Sequence, residues 1–365
     1  MNEEELLSKL VSIDSQTHKS NKEIVEFISS FFLRLGVNPE VKNVNKNKKT
    51  FNLILKIPRT KESDMPPLIL SGHTDTVMIS NEEQLLPEVR NGVLFGRGAC
   101  DMKAGLTSIM LACKDYLKEK ERPKDVYVLL TSDEEGSGEG IIKLCKDFSL
   151  NEEADIIVAE PTNNNLFIGQ KSCLDLELIF NGERMHSSML QPTNLNKNAI
   201  LNATSFINEV MELLQREYQG YDELFGYTSF NVGTILSEGA PNIVPDKCII
   251  KINIRANPNY NIDEIQDKVL RIAERIDPKV KIKILFKGDS FMTSKESRII
   301  NKILNSCKCD LKYKWAWTEA SYLSKYGDVV IFGPGNPEYA HKNNEQVKIS
   351  DIEMFRKIYF TLMTK

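Results

Sequence analysis

A chain of 365 residues, 41% hydrophobic and 27% charged, is long enough for one large domain or two, with a core that needs no staples. Lysine and arginine (47) nearly balance aspartate and glutamate (51), and a net charge of −4 provides no global basic field. Neither nucleic acid nor an anionic membrane is therefore an expected partner.

The first residues, Met-Asn-Glu-Glu-Glu, are acidic where a signal or transit peptide is basic and then apolar. No apolar run approaches the roughly 18 residues of a membrane span. A cytoplasmic location is the expectation. Helical periodicity runs over residues 10–35, followed by a Lys/Asn-rich stretch at 42–49 that reads as a solvated loop. Strands are predicted at 52–57 and 67–70. A helix follows over 102–120, with Leu106, Ile109, Met110, Cys113 and Leu117 on one face. Strands at 126–130 and 156–158 enclose a helix at 140–148.

From residue 171 the texture changes. A strand (174–180), a helix (197–218), two strands (229–236 and 247–255), a helix (263–276) and a strand (279–286) follow in order. The second of these helices has Ile262, Ile265, Val269, Ile272 and Ile276 on one face and Asn261 as its N-cap. This βαββαβ order is the ferredoxin-like split arrangement. After 288 the α/β pattern returns, with a helix at 297–307, a strand at 329–332 and a helix at 351–363. The expected fold is α/β: a mostly parallel (mixed) sheet sandwiched by helices, formed by 1–171 and 289–365 and interrupted by a ferredoxin-like domain at 172–288.

Ligands of open α/β sheets bind beyond the carboxyl ends of the strands, and there the polar residues accumulate. Leu68-Ile69-Leu70 leads into Ser71-Gly72-His73-Thr74-Asp75, and Val128-Leu129-Leu130 into Thr131-Ser132-Asp133-Glu134-Glu135-Gly136. Ile156-Ile157-Val158 precedes Ala159-Glu160-Pro161, and Ile331-Phe332 precedes Gly333-Pro334-Gly335 and then His341. A Gly-rich turn carries Gly96-Arg97-Gly98-Ala99-Cys100-Asp101-Met102-Lys103. Two imidazoles and several carboxylates with no thiolate form the donor inventory of a dinuclear hydrolytic centre, in which one carboxylate bridges the ions; Asp101 is the natural bridge. Of the adjacent Glu134 and Glu135, one can ligate while the other acts as base.

These motifs, with His186, the Asn242-x-Val244-Pro245 loop, Arg255 and the late His341, resemble the dinuclear zinc amidohydrolases and exopeptidases. That family includes acetylornithine deacetylase, succinyl-diaminopimelate desuccinylase, aminoacylase and glutamate carboxypeptidase. The likeness covers essentially the whole chain. It implies two Zn(II) per subunit, with Co(II) or Mn(II) as substitutes: His73, Asp101 and Glu160 on one ion, and Asp101, Glu135 and His341 on the other. It further implies Glu134 as general base, Asp75 orienting His73, and a cis peptide after Asp101. His186 would stabilise the oxyanion in the partner subunit's site, making 172–288 both lid and homodimer surface. Arg255, Asn242 and the backbone of Gly333 and Gly335 would engage a substrate carboxylate.

The substrate implied is a small N-acyl amino acid. Glu160, rather than Asp, favours a deacylase or carboxypeptidase, and Thr318-Glu319-Ala320 is similar to acetylornithine deacetylase, with Glu319 pairing a substrate ammonium. Desuccinylase, aminoacylase and dipeptidase stand as alternatives, because Ala104 and His186-Ser187-Ser188 depart from the family's usual pattern. A catalytically silent binding protein on the same fold is the different-class alternative, disfavoured because every ligand and base position keeps a competent residue.

Other features take simpler readings. His18, before a helix, is expected to have no catalytic part. Gly136-x-Gly138-x-Gly140 lacks the Lys-Ser/Thr of a phosphate loop. The seven cysteines, Cys100, Cys113, Cys145, Cys173, Cys248, Cys307 and Cys309, read as reduced thiols, with Cys100 a packed small residue.

Overall fold

The computed structural model describes residues 1–314 and 316–365. The chain divides into two compact units, Met1–Gly169 with Thr293–Lys312 and Thr318–Lys365, and Gln170–Met292 with Tyr313–Trp317. Relative to the expected boundaries, residues 170–171, 289–292 and 313–317 fall in the smaller unit.

The larger unit is built on a mixed sheet in the order Glu40–Asn45, Thr50–Ile57, Val126–Thr131, Leu68–His73, Ala154–Pro161, Gly327–Gly333, Leu166–Gln170. Its centre is parallel: Leu68–His73 runs with both Val126–Thr131 and Ala154–Pro161, and Gly327–Gly333 runs with Ala154–Pro161. These strands read as continuous apolar runs because both faces are covered. Every residue of Leu68–His73 and of Ala154–Pro161 is buried. Helix Lys103–Tyr116 is buried without a break from Lys103 to Cys113, packed against Glu3–Val11 and Ile349–Thr364. With the strands parallel, His73, Thr131, Glu160 and Gly333 all arrive at carboxyl ends.

Two sequence expectations change here, and one small sheet is added. The periodicity over 10–35 resolves into two helices, Glu3–Val11 and Lys22–Leu33. Between them Asp14 accepts the backbone N–H of Gln16, a local side-chain bond that competes with helix, and Gln16 forms an isolated β-bridge with Thr76. The 42–49 loop is in part an edge strand, Glu40–Asn45, antiparallel to Thr50–Ile57. Its largely exposed residues carry no apolar alternation, so its pairing comes from the neighbouring strand. Short strands Glu88–Arg90, Val93–Phe95 and Gln346–Lys348 form a further small sheet that the sequence did not reveal.

The smaller unit holds a four-stranded antiparallel sheet in the order Ser229–Leu236, Lys247–Arg255, Cys173–Asn181, Lys281–Gly288, with helices Ala199–Glu217 and Ile262–Ile276. In chain order this is βαββαβ. Alternate residues of Cys173–Asn181 and Lys247–Arg255, including Leu176, Leu178, Ile250 and Ile252, join Phe206, Val210, Ile265 and Val269 in one core. Asn261 caps its helix by accepting the N–H of Asp263.

Candidate metal centre

His73 ends the central strand with its imidazole 1% exposed. Its Nδ1 lies 3.0 Å from the main-chain carbonyl of Asp75, which can only accept. Nδ1 therefore carries a hydrogen, leaving Nε2 as the nitrogen that faces outward. It is the Asp75 carbonyl that meets His73: the carboxylate is 3.6 Å away and instead accepts the backbone N–H groups of Glu134 (3.2 Å) and Glu135 (3.1 Å). The turn that displays these two acids is held from the other side by Asp133. Asp133, at φ 63°, accepts from Thr17 Oγ1 (2.9 Å) and from the Ser137 N–H (3.2 Å).

Asp101 stands between the two imidazoles. Its Oδ1 is 3.2 Å from His73 Nε2 and its Oδ2 is 3.4 Å from His341 Nε2. Glu160 Oε1 lies 3.5 Å from His73 Nε2, and Glu135 Oε1 lies 2.9 Å from His341 Nε2. The Asp101–Met102 peptide is cis. The donor atoms of His73, Asp101 and Glu135 all fall within 4.8 Å of one another, as do those of His73, Glu134 and Glu160. All six residues expected to ligate or act as base are thus gathered in the larger unit.

The donor set fits divalent ions. A tetrahedral zinc with bonds of 2.0 to 2.2 Å separates its ligand atoms by about 3.3 to 3.6 Å, close to three of the four imidazole–carboxylate spacings here. The electrostatics agree. Burial raises the Glu134 carboxyl well above its ordinary value against the pull of His73, and neighbouring Glu160, Glu135 and Asp101 add to the rise. Burial likewise raises Glu135. Burial would lower His73, but Asp101 and Glu160 override it and hold the imidazole well above its usual range. Hydrogen bonds that a protonated His341 donates to Asp101 and Glu135 lift it to about 10. Like charges crowded at one strand edge demand protons or a cation, and two imidazoles with mixed carboxylates make a cation's shell.

Other sequence candidates fall elsewhere. Glu319 is not available to a substrate ammonium: it is 1% exposed and lies behind the centre, with Oε1 2.8 Å from Ser71 Oγ and Oε2 2.6 Å from Thr131 Oγ1. Ser71 has one hydroxyl hydrogen, and Leu129 O, 3.0 Å away, competes for it. A protonated Glu319 can donate where Ser71 cannot. Burial indeed pushes this carboxyl up to about 7. Gly333 is also spent internally: its N–H meets Thr162 Oγ1 and its carbonyl accepts from Thr162, so it offers no backbone group to substrate. Gly335, at φ 98°, sits where a Cβ would come within 2.8 Å of Cys100 Sγ. Burial and the nearby acids push the Cys100 thiol far up, which suits a packed residue rather than a nucleophile.

In the smaller unit, exposed His186 pairs with Ile243 in a short two-stranded bridge, and its Nδ1 lies 2.8 Å from Ser188 Oγ. The Asn242 carbonyl accepts the Ser187 N–H beside it. Half-buried Arg255 ends its strand with Nε 3.3 Å from Asn253 Oδ1. His18 is exposed. No helix among the described residues is long and apolar enough to cross a membrane.

A model described as peptidase family M20/M25/M40 matches residues 69–365. An acetylornithine deacetylase from Buchnera aphidicola subsp. Schizaphis graminum is 29% identical over 372 residues, spanning 97% of this chain and 94% of its own. A succinyl-diaminopimelate desuccinylase from Psychromonas ingrahamii is 29% identical over 325 residues, spanning 83% and 84%. Among solved structures, an M20 family metallo-carboxypeptidase from Sulfolobus solfataricus superposes with a TM-score of 0.80 at 17% identity, covering 100% of this chain and 99% of that one. A Bacillus subtilis protein described as a dinuclear metal-binding peptidase from the M20 family does so at 0.69 and 13%, covering 99% and 96%.

Proposed function

The chain belongs to peptidase family M20/M25/M40, a family of metal-dependent hydrolases, and on that premise we propose that it cleaves the amide bond of an N-acyl amino acid at a dinuclear zinc centre. The observation that carries this reading is the placement of Asp101, one carboxylate oxygen toward each imidazole. His73, Asp101 and Glu160 would hold one ion, and Asp101, Glu135 and His341 the other. Bound there, divalent ions supply Lewis acidity, lowering the pKa of a water and polarising the scissile carbonyl.

The chain's own residues do the rest. Glu134 is the acid left over once both shells are filled. Its backbone is fixed by Asp75, and burial raises its affinity for a proton. It takes a proton from the attacking water and returns it to the leaving amine, serving as base and then acid. Asp75 keeps the His73 tautomer that leaves Nε2 to bind. His186 is read as the oxyanion donor acting on the partner subunit's site, with Arg255, Asn242 and Gly335 toward a substrate carboxylate. A cytoplasmic homodimer through 172–288 belongs to the same proposal.

An acetylated amino acid such as N-acetylornithine is the first substrate to test, because two of the relatives are named for removing acetyl and succinyl groups. The test is amine release from N-acetylornithine, N-acetylcitrulline, N-acetyllysine, N-succinyl-diaminopimelate and simple dipeptides. Preference for an acetylated amino acid supports the reading. Turnover confined to dipeptides replaces it with a peptidase.

A further inference from the structure

We propose that Arg97 and Glu345 are positioning residues that tie the Asp101 loop to the His341 loop and thereby set the second of the two ion sites. This inference rests on the dinuclear reading above.

The two side chains form an ion pair 2% and 1% exposed, with Arg97 Nη1 2.7 Å from Glu345 Oε2. A pair so buried is costly unless most of the remaining hydrogen-bonding capacity is filled. Here loop backbone fills most of it, while Arg97 Nε has no hydrogen-bond partner among the described residues. Glu345 Oε2 accepts the Gly98 N–H (3.0 Å), and Oε1 accepts the N–H groups of Cys100 (3.0 Å) and Asp101 (2.9 Å). One carboxylate therefore fixes the backbone from Gly98 to Asp101, ending on the residue that faces both imidazoles. On the other side, Arg97 Nη1 reaches the carbonyl of Lys342 (3.2 Å) and Nη2 that of His341 itself (3.4 Å). A continuous chain of polar contacts runs from the Asp101 N–H through Glu345 and Arg97 to His341.

The two histidines depend on this chain unequally. His73 is 1% exposed, is embedded in the central strand and is oriented by its own Asp75 carbonyl. His341 is 53% exposed, has φ 65° and lies in the turn between Pro337–Tyr339 and Gln346–Lys348. Among the described residues no strand pairing holds its backbone; local turn bonds flank it, and the Arg97 fork takes its carbonyl and that of Lys342. A lysine at 97 keeps the charge opposite Glu345, but its single ammonium nitrogen lacks the planar fork whose two nitrogens reach Glu345, Lys342 and His341. Loss of the fork should therefore loosen His341 and spare the His73–Glu160 side, whereas loss of the Glu345 charge should disturb Asp101 and hence both sides.

The test is zinc titration of the chelator-stripped full-length protein by calorimetry, for wild type, Arg97→Lys, Arg97→Gln and Glu345→Gln, with circular dichroism to show which variants fold. Wild type should bind two ions. Arg97→Lys should weaken one by about tenfold or more, the effect typical of losing a supporting partner, with the other changed less than about twofold. Arg97→Gln should repeat this split and substitutes if Arg97→Lys fails to fold. Glu345→Gln should weaken both. Two wild-type affinities in both Arg97 variants, or equal weakening of both ions, overturns the positioning role alone. Wild type that binds fewer than two ions removes the dinuclear reading and this inference with it. Failure of both Arg97 variants to fold also overturns it, assigning the pair to the fold rather than to one ion.

Discussion

Glu319→Gln isolates the energetic cost of the buried acid behind the centre. The folded state raises this carboxyl from its ordinary 4.5 to about 7, chiefly by burial, while the unfolded chain releases the proton near the ordinary value. Between those two values the native state binds more protons than the unfolded state, so stability falls as pH rises and the loss is complete above about pH 7. At about 1.4 kcal/mol per pH unit, the shift corresponds to about 3 kcal/mol between pH 4.5 and 8. The amide is uncharged throughout and, like the protonated acid, offers both a donor and an acceptor to Ser71 and Thr131. Relative to wild type, Glu319→Gln should therefore gain about 3 kcal/mol of unfolding free energy over that range. The assay is urea denaturation of metal-free wild type and variant at a series of pH values, reading the difference between them so that all other titrations cancel. A difference that stays constant from pH 4.5 to 8 would refute the reasoning.

Further outcomes concern catalysis. Glu134→Ala should lower turnover by about 100-fold or more while elemental analysis finds the metal still bound; retained activity would remove Glu134 from its role. Mixing His186→Ala and Glu134→Ala chains should recover part of the wild-type activity through sites that combine one intact Glu134 with one intact His186, and no recovery contradicts action across the dimer. His18→Ala should leave kcat and KM unchanged, its ring being exposed and outside the carboxylate cluster; a loss of activity would show that four histidines matter rather than three.

Much of the centre was legible before the structure because it follows the topology. A parallel sheet delivers its functional groups at carboxyl ends, so His73, Glu134, Glu135 and Glu160 could be found by reading one or a few residues past each apolar run. What stayed hidden depends on contacts between distant backbones. Glu345 holds Gly98, Cys100 and Asp101 through their N–H groups, which any residue provides, so nothing in the surrounding sequence marks it. Glu319 reads from the Thr318-Glu319-Ala320 motif as a partner for a substrate ammonium, yet Ser71 and Thr131 enclose it from two strands remote in sequence. Glu40–Asn45 is polar on an edge, where pairing with Thr50–Ile57 supplies the order that hydrophobic alternation would otherwise announce. The split of 10–35 into two helices turns on Asp14, whose side chain takes the Gln16 N–H in a local competition that periodicity does not weigh.

Asp101 facing two imidazoles at once is the centre of the account. The most direct measurement is the metal content of chelator-stripped protein after reconstitution with zinc and removal of free ion. The account predicts two ions per chain, falling in Asp101→Ala; one ion or none in the wild type would contradict it.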